Sequence, residues 1–350
     1  MKTMSNTYDL SLFKQLASIH SPSGYEKKIR KYIKQWVTKN EPSADIVQMN
    51  GNLYITKGES DTYPCIVAHL DQVQDVYPKD MKIIETDDII FSWSNSKRSQ
   101  CGLGADDKCG IYIALDMLRR TDAIKVALFH SEEIGCVGSS DADMRFFDNV
   151  RFVVEPDRRG YNDLIVSIGH TTLCSDEFLS AIGYEQFGYK QTNGLMTDVD
   201  ELKQNGLPVS AINLSCGYYD PHTENEFVVK RDLLNALAFV EHIVNNCTDV
   251  YTHTPKWESP LYGNRTYYDW YDDWDSPSES KNKGAYDAES LEEWYEQYNA
   301  AYEDITAWLD YGNEMTEDEF IQWYGSTYPL LSESDVRDLF ADIRYERRNN

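Results

Sequence analysis

Four short apolar runs, CIVAH (65–69), KVALFH (125–130), RFVVE (151–155) and VSAINL (209–214), alternate with segments of helical periodicity. This alternation constrains the fold more than any other feature of the chain. Each run is too short for a helix and reads as a strand buried on both faces. Strands that alternate with helices pair in parallel, because the intervening helix returns the chain to the same edge. The expected fold class is therefore α/β: a mixed, mainly parallel central sheet with helices on both faces. GIYIALDMLRR (110–120) and EFVVKRDLLNALAFVEHIVNNC (226–247) read as helices. In SPSGYEKKIRKYIKQWV (21–37) a turn leads into a third, with Ile29, Tyr32, Ile33 and Trp36 at helical spacing. IVQM and NLYIT flank Asn50-Gly51-Asn52, a tight-turn signal, and read as a hairpin.

The α/β pattern covers residues 1–250. Residues 251–287 are rich in Tyr, Trp, Asp, Ser, Pro and Gly and poor in aliphatics, so they read as an aromatic, acidic linker without a core of its own. Residues 288–350 read as a helical C-terminal extension. Leu291, Trp294, Tyr295, Tyr298, Tyr302, Ile305 and Leu309 share one side, and TEDEFIQWYG and SESDVRDLFADI carry capping-box chemistry.

The formal net charge of −26 argues against nucleic acid or an anionic membrane as partner. Seven scattered cysteines without a CxxC pair fit a reducing compartment. The N-terminal stretch lacks a long apolar leader, and no apolar run approaches a membrane span. A cytoplasmic location is the expectation.

Potential metal ligands stand at the ends of the strand-like runs or just beyond them. Parallel sheets gather functional groups at that edge. His69 ends CIVAH, and Asp71 lies two residues on, where it can receive the second imidazole N–H. Alternatively the pair is a core histidine near a surface aspartate. Gly102-Leu103-Gly104-Ala105-Asp106-Asp107 precedes a helix; Asp106 faces the sheet edge and Asp107 begins the helix, or both aspartates simply cap it. Glu132 and Glu133 follow KVALFH. They would repel each other unless a dication took one and left the other facing water; the competing reading is a solvated turn. Beyond RFVVE, Asp157 is the preferred ligand, with Glu155 in reserve, and Pro156 is expected to help stop the strand. His222 precedes the last helix, in a segment where Thr223 and Glu226 suggest a cap. His20, His170, His242 and His253 read as structural or exposed, with His170 a possible lining residue. Two imidazoles and three carboxylates suit divalent zinc, cobalt or manganese.

Taken together, SPSGYE (21–26), VAHLDQV (67–73), GLGADDKCG (102–110), FHSEEIGCVGS (129–139), VEPD (154–157) and CGYYDPHTENE (216–226) resemble the co-catalytic zinc metallopeptidase clan, families M20, M28 and M42. GADDK and the closing His-x-x-x-Glu are most similar to the peptidase T branch. The resemblance implies that Asp106 bridges two divalent metal ions. His69 and Asp157 complete one site, and Glu133 and His222 the other. It also implies that Glu132 is the general acid/base, that Asp71 steadies His69, and that the Asp106–Asp107 peptide is cis. A bridging water between cations roughly 3.5–4 Å apart would then attack the scissile carbonyl of a short peptide. His222 follows Asp157 by 65 positions and Asp106 follows His69 by 37, too few for the lid or extra domain of many clan members. A single lid-less catalytic domain is expected, with an oligomer or a partner for the C-terminal tail left open.

An aminopeptidase is the leading expectation. A carboxypeptidase or amide deacylase would need a basic group for the substrate carboxylate, with Lys108, Arg158, Arg159 and Lys190 as candidates. A non-catalytic, metal-stabilised binding protein is the third reading, and the spare carboxylate of Glu132 argues against it.

Overall fold

β-Branched residues concentrated in the short runs, and long unbranched side chains between them, divide the chain into strands and helices. A computed structural model describes residues 9–74, 77–169 and 171–254, the backbone of 256–259 and 262–266, and Ala301, Ile305, Trp308, Leu309, Thr316, Phe320, Ile321, Val336, Arg337 and Phe340. In chain order the elements are α1 (Ser11–Ala17), α2 (Lys27–Asn40), β1 (Asp45–Met49), β2 (Asn52–Lys57), β3 (Tyr63–His69), β4 (Met81–Glu85), β5 (Ile89–Ser94), α3 (Ala105–Arg120), β6 (Ile124–Phe129), α4 (Val137–Ser140) and β7 (Val150–Arg158). They continue with β8 (Asp163–Ile168), β9 (Thr171–Thr172), α5 (Asp176–Ile182), β10 (Lys190–Gly194), α6 (Asp198–Gln204), β11 (Ala211–Ser215), β12 (Tyr218–Tyr219), β13 (Phe227–Val229), α7 (Lys230–Asn246), β14 (Lys256–Ser259) and β15 (Tyr262–Thr266).

The chain divides into two compact units. The first takes in residues up to Ile165, Cys174–Gln191 and Met196–His253. Its sheet runs β1-β2-β6-β3-β7-β11, with Leu164 and Ile165 of β8 pairing next to β11. The central pairs β6–β3, β3–β7 and β7–β11 are parallel, while β1–β2 and β2–β6 are antiparallel. Every residue of β3 and of β6 is buried, as expected of strands covered on both faces. Helix α3 packs on β3, β6 and β7 and against α1 and α7; α4 and α6 pack on each other. On α2 the buried stripe is Ile29, Ile33 and Val37, each worth about 1.5–3 kcal/mol in burial. Tyr32 and Trp36 flank it at intermediate exposure. The Asn50-Gly51 hairpin forms as expected, with Met49 opposite Asn52.

Two local expectations are corrected. Pro156 does not end its strand: β7 continues to Arg158. Glu155 pairs with Asn213 and Arg158 with Ser215, so β7 carries one extra residue over that step. The bulge absorbs a proline that cannot donate to the ladder. Residues 227–229 do not open the last helix either. Phe227-Val228-Val229 pairs antiparallel with Ile89–Phe91, and α7 starts at Lys230. Two valines and a phenylalanine favour a strand once an edge is offered. They build a second, four-stranded sheet, β12-β13-β5-β4, which the sequence pattern did not disclose.

The second unit comprises Val166–Leu173, Thr192–Leu195 and the chain from Thr254 on. In it, β9 pairs antiparallel with the end of β8 and with β14, which pairs in turn with β15. Ala301, Ile305, Phe320, Ile321, Val336 and Phe340 form a buried apolar cluster with Trp308 and Leu309 against it. Most of the 251–287 linker and of the helical extension, including Leu291, Trp294, Tyr295, Tyr298 and Tyr302, lies outside the described residues, as does His170.

Candidate metal centre

The parallel order β6-β3-β7-β11 brings the C-terminal ends of four strands to one edge of the first sheet. His69 is the last residue of β3 and pairs with Phe129, the last residue of β6. Ser131-Glu132-Glu133 therefore starts beside it. Asp157 lies within the β7 bulge, and His222 lies in the turn between β12 and β13. Asp106 enters from the start of α3, where its peptide bond to Asp107 is cis.

The five candidate ligands converge. His69 Nε2 lies 3.0 Å from Asp106 Oδ1 and 3.6 Å from Asp157 Oδ1. His222 Nε2 lies 3.4 Å from Asp106 Oδ2 and 3.0 Å from Glu133 Oε2. Asp106 thus offers one oxygen to each imidazole, and each imidazole has a second carboxylate of its own. Ligand atoms of His69, Asp106 and Glu133 lie within 4.8 Å of one another. The Glu132 carboxylate stands further off, 3.9 Å from His69 Nε2, with Cys136 Sγ 3.5 Å from its other oxygen. Glu133 Oε1 is buried and accepts no hydrogen bond from any described residue.

The supporting contacts hold these side chains to the strand ends. Asp71, fully buried, lies 3.4 Å from His69 Nδ1 and accepts from Ser23 Oγ at 2.7 Å. Its oxygens also accept the backbone N–H groups of Glu132 (3.0 Å) and Glu133 (3.3 Å). One carboxylate therefore positions both the histidine and the glutamate pair, more than the single role expected of it. Asn213 holds the Asp157 backbone from both sides, accepting from its N–H at 3.2 Å and donating to its carbonyl at 3.1 Å. Glu155 does not join the ligands; it accepts from Thr197 Oγ1 (2.6 Å) and Val199 N (3.3 Å) and so seats α6. Asp107 accepts from Gly110 N at 2.8 Å inside the first turn of α3, the helix-starting role foreseen for it.

The helix cap that Thr223 and Glu226 suggest as an alternative for this segment does not form. Thr223 Oγ1 instead donates to Asp220 O, and the Glu226 carboxylate, fully buried, accepts the backbone N–H groups of Leu103 (2.9 Å), Gly104 (2.5 Å), Ala105 (2.8 Å) and Asp106 (3.0 Å). The signal was the spacing of a glutamate four residues beyond His222, next to an apolar run. It is indistinguishable in sequence from a cap.

Electrostatics follow from crowding. Burial would lower His69, but Asp157, Asp106 and Asp71 outweigh it and hold the imidazole protonated well above its usual range. Burial raises Glu132 and Asp157 well above ordinary carboxylates, with neighbouring carboxylates adding to it. Burial also raises Glu133, which His222 opposes. Asp106 goes the other way: hydrogen bonds from both imidazoles overcome its burial and depress it. Burial and crowded carboxylates thus favour proton retention by the cluster, a relief of negative charge that a dication would supply in its place.

The basic residues named for a substrate carboxylate are differently placed. Lys108 is fully buried and donates to Gln72 Oε1, and burial lowers it to about 8. Arg158 is also buried, with Nε 3.6 Å from Asp163. Among the described residues, no helix is long and apolar enough to cross a membrane.

No family model and no curated protein matches the sequence. Solved structures do. Aminopeptidase PepT from Bacillus cereus superposes with a TM-score of 0.55 at 16% identity, over 67% of this chain and 96% of that one. A tripeptidase from Staphylococcus aureus gives 0.53 at 16% identity, over 67% and 96%. An aminopeptidase from the archaeon Desulfurococcus kamchatkensis gives 0.52 at 16% identity, over 67% and 94%. Over two thirds of its length, the chain has the fold of these peptidases.

Proposed function

We propose that the protein is a metal-dependent exopeptidase that removes the N-terminal residue of short peptides, using two divalent cations. Zinc is the first choice, with cobalt or manganese as alternatives. One observation carries the reading: the Asp106 carboxylate is divided between two imidazoles, each with a carboxylate of its own, and a further carboxylate stands beside them. The mixed nitrogen and oxygen donors suit these metals, and the unpartnered Glu133 Oε1 is the kind of buried atom a cation satisfies. His69 and Asp157 would hold one cation, His222 and Glu133 the other, and Asp106 both. When bound, such cations would supply Lewis acidity, lowering the pKa of water so that it gives up a proton near neutral pH, and polarising a carbonyl.

The chain's own groups move the proton. Glu132 takes it from the attacking water onto a carboxylate oxygen and returns it to the leaving amine. Asp71 fixes the path by holding the Glu132 N–H and flanking His69 with the same carboxylate. Burial raises the Glu132 carboxyl well above its ordinary value, which makes its ionised form a stronger base for the first transfer. An amine-first substrate fits the acidic surroundings. The two buried basic candidates, Lys108 and Arg158, are engaged within the fold, which weakens the carboxypeptidase and deacylase readings. The spare Glu132 counts against a purely structural metal site.

Leucine p-nitroanilide and a tripeptide, each compared with its N-acetylated form, test the proposal on metal-loaded protein. The free-amine substrates are cleaved and the acetylated ones resist. Glu132→Ala loses roughly 10²- to 10⁴-fold in kcat with its metal content unchanged. Full activity in Glu132→Ala, or preference for the acetylated substrates, overturns it.

A further inference from the structure

We propose that Glu226 is a positioning residue that locks the shared carboxylate of Asp106 to the segment bearing His222, and thereby sets the affinity of the second cation. The inference rests on the two-cation reading above.

Four consecutive N–H groups, Leu103 to Asp106, point at one buried carboxylate. Oε2 takes those of Leu103 and Gly104, and Oε1 those of Ala105 and Asp106. Successive N–H groups aimed at one point form an anion-binding concavity, and positive φ at Gly102 (71°) and Gly104 (63°) shapes it. The chain fills that concavity with its own side chain. Only an acceptor-only group satisfies all four donors. An amide in its place would turn an NH₂ against two of them, leaving buried N–H groups unpaired.

The same contacts join two segments more than a hundred residues apart. Gly102 N donates to Glu224 O at 2.9 Å, and Gln74 Nε2 reaches Glu226 Oε2 at 3.3 Å. Asp106 is the last residue of the clamped loop, and His222 lies four positions before the clamp. These two residues share the second cation with Glu133. The first cation depends on His69 and Asp157 as well, and those are fixed by β3 and β7 independently of Glu226. Loss of the clamp therefore weakens the two cations unequally. A general loss of stability would weaken them together.

Cobalt(II) titration of the full chain tests this, followed by calorimetry and by visible absorption of the bound ion. The variants are Glu226→Gln, Glu226→Asp and Ile33→Ala, the last a core variant on α2. Wild type takes up two Co²⁺. Glu226→Gln, folded by circular dichroism, binds the second roughly 10- to 100-fold more weakly and the first with a smaller loss. Glu226→Asp, still acceptor-only but one methylene shorter, shows the same inequality to a lesser degree. Ile33→Ala lowers the melting temperature without separating the two affinities. An equal fold-loss for both ions in Glu226→Gln, relative to wild type, overturns the proposal, as does an unequal loss of the same size in Ile33→Ala. If Glu226→Gln does not fold, Glu226→Asp decides, and unchanged second-ion affinity there overturns it. A wild type that binds fewer than two Co²⁺ overturns the two-cation reading itself, and this inference with it.

Discussion

Asp198 shows how far a buried carboxylate near the site is shaped by its surroundings. It is fully buried at the start of α6, and burial pushes it up to about 7. A carboxyl raised above its unfolded value contributes stability that is complete at acid pH and is lost as pH rises through the folded value. In the metal-free protein that loss falls between about pH 4 and pH 7. Asp198→Asn removes the titration. Urea denaturation of the metal-free variant should show a gain over wild type that grows from about pH 4 to about pH 7, then levels off at roughly a few kcal/mol. A gain independent of pH would contradict the assignment. Single residues of this kind were not legible in the sequence, where Asp198 is one acidic residue among many. The convergence of His69, Asp106, Glu133, Asp157 and His222 was legible from strand ends at one sheet edge together with the resemblance of the joint pattern to the metallopeptidase clan, whereas Asp106 and the Glu132–Glu133 pair taken alone read equally as caps or a solvated turn. Glu226 was not, since its four partners depend on a loop conformation that no local pattern encodes.

At the scale of elements, α3 carries a sign reversal. An exposed helix glycine changed to alanine gains about 1 kcal/mol. Gly110 is different. A Cβ there would overlap the Asp107 carboxylate, which folds back to accept the Gly110 N–H. Gly110→Ala should therefore destabilise the protein by about 1–3 kcal/mol, read as a lower urea midpoint. It should also weaken metal binding, because Asp106 adjoins the displaced residue; a stabilised variant would contradict this. The strands and helices that matter most were legible as buried runs and periodic stretches. What escaped were choices settled by tertiary pairing. Phe227–Val229 became a strand only because Ile89–Phe91 offered an edge, and Pro156 stayed within β7 only because a bulge spared it a ladder bond.

For the whole molecule, the protons that crowding holds on these side chains have a consequence in solution. Imidazoles and carboxylates that hold protons must release them to a cation, so zinc binding should liberate protons and strengthen as pH rises through neutrality. Calorimetry in buffers of different ionisation enthalpy reads the release directly, and affinity that does not change with pH would contradict it. Chelation should lower the melting temperature, since a ligand held only by the folded state stabilises it. The most direct test of the account is anomalous diffraction from zinc-loaded crystals. Two peaks are predicted, roughly 3.5–4 Å apart: one bounded by His69 and Asp157, the other by Glu133 and His222, with Asp106 contacting both. A single peak, or peaks away from these five side chains, would contradict it.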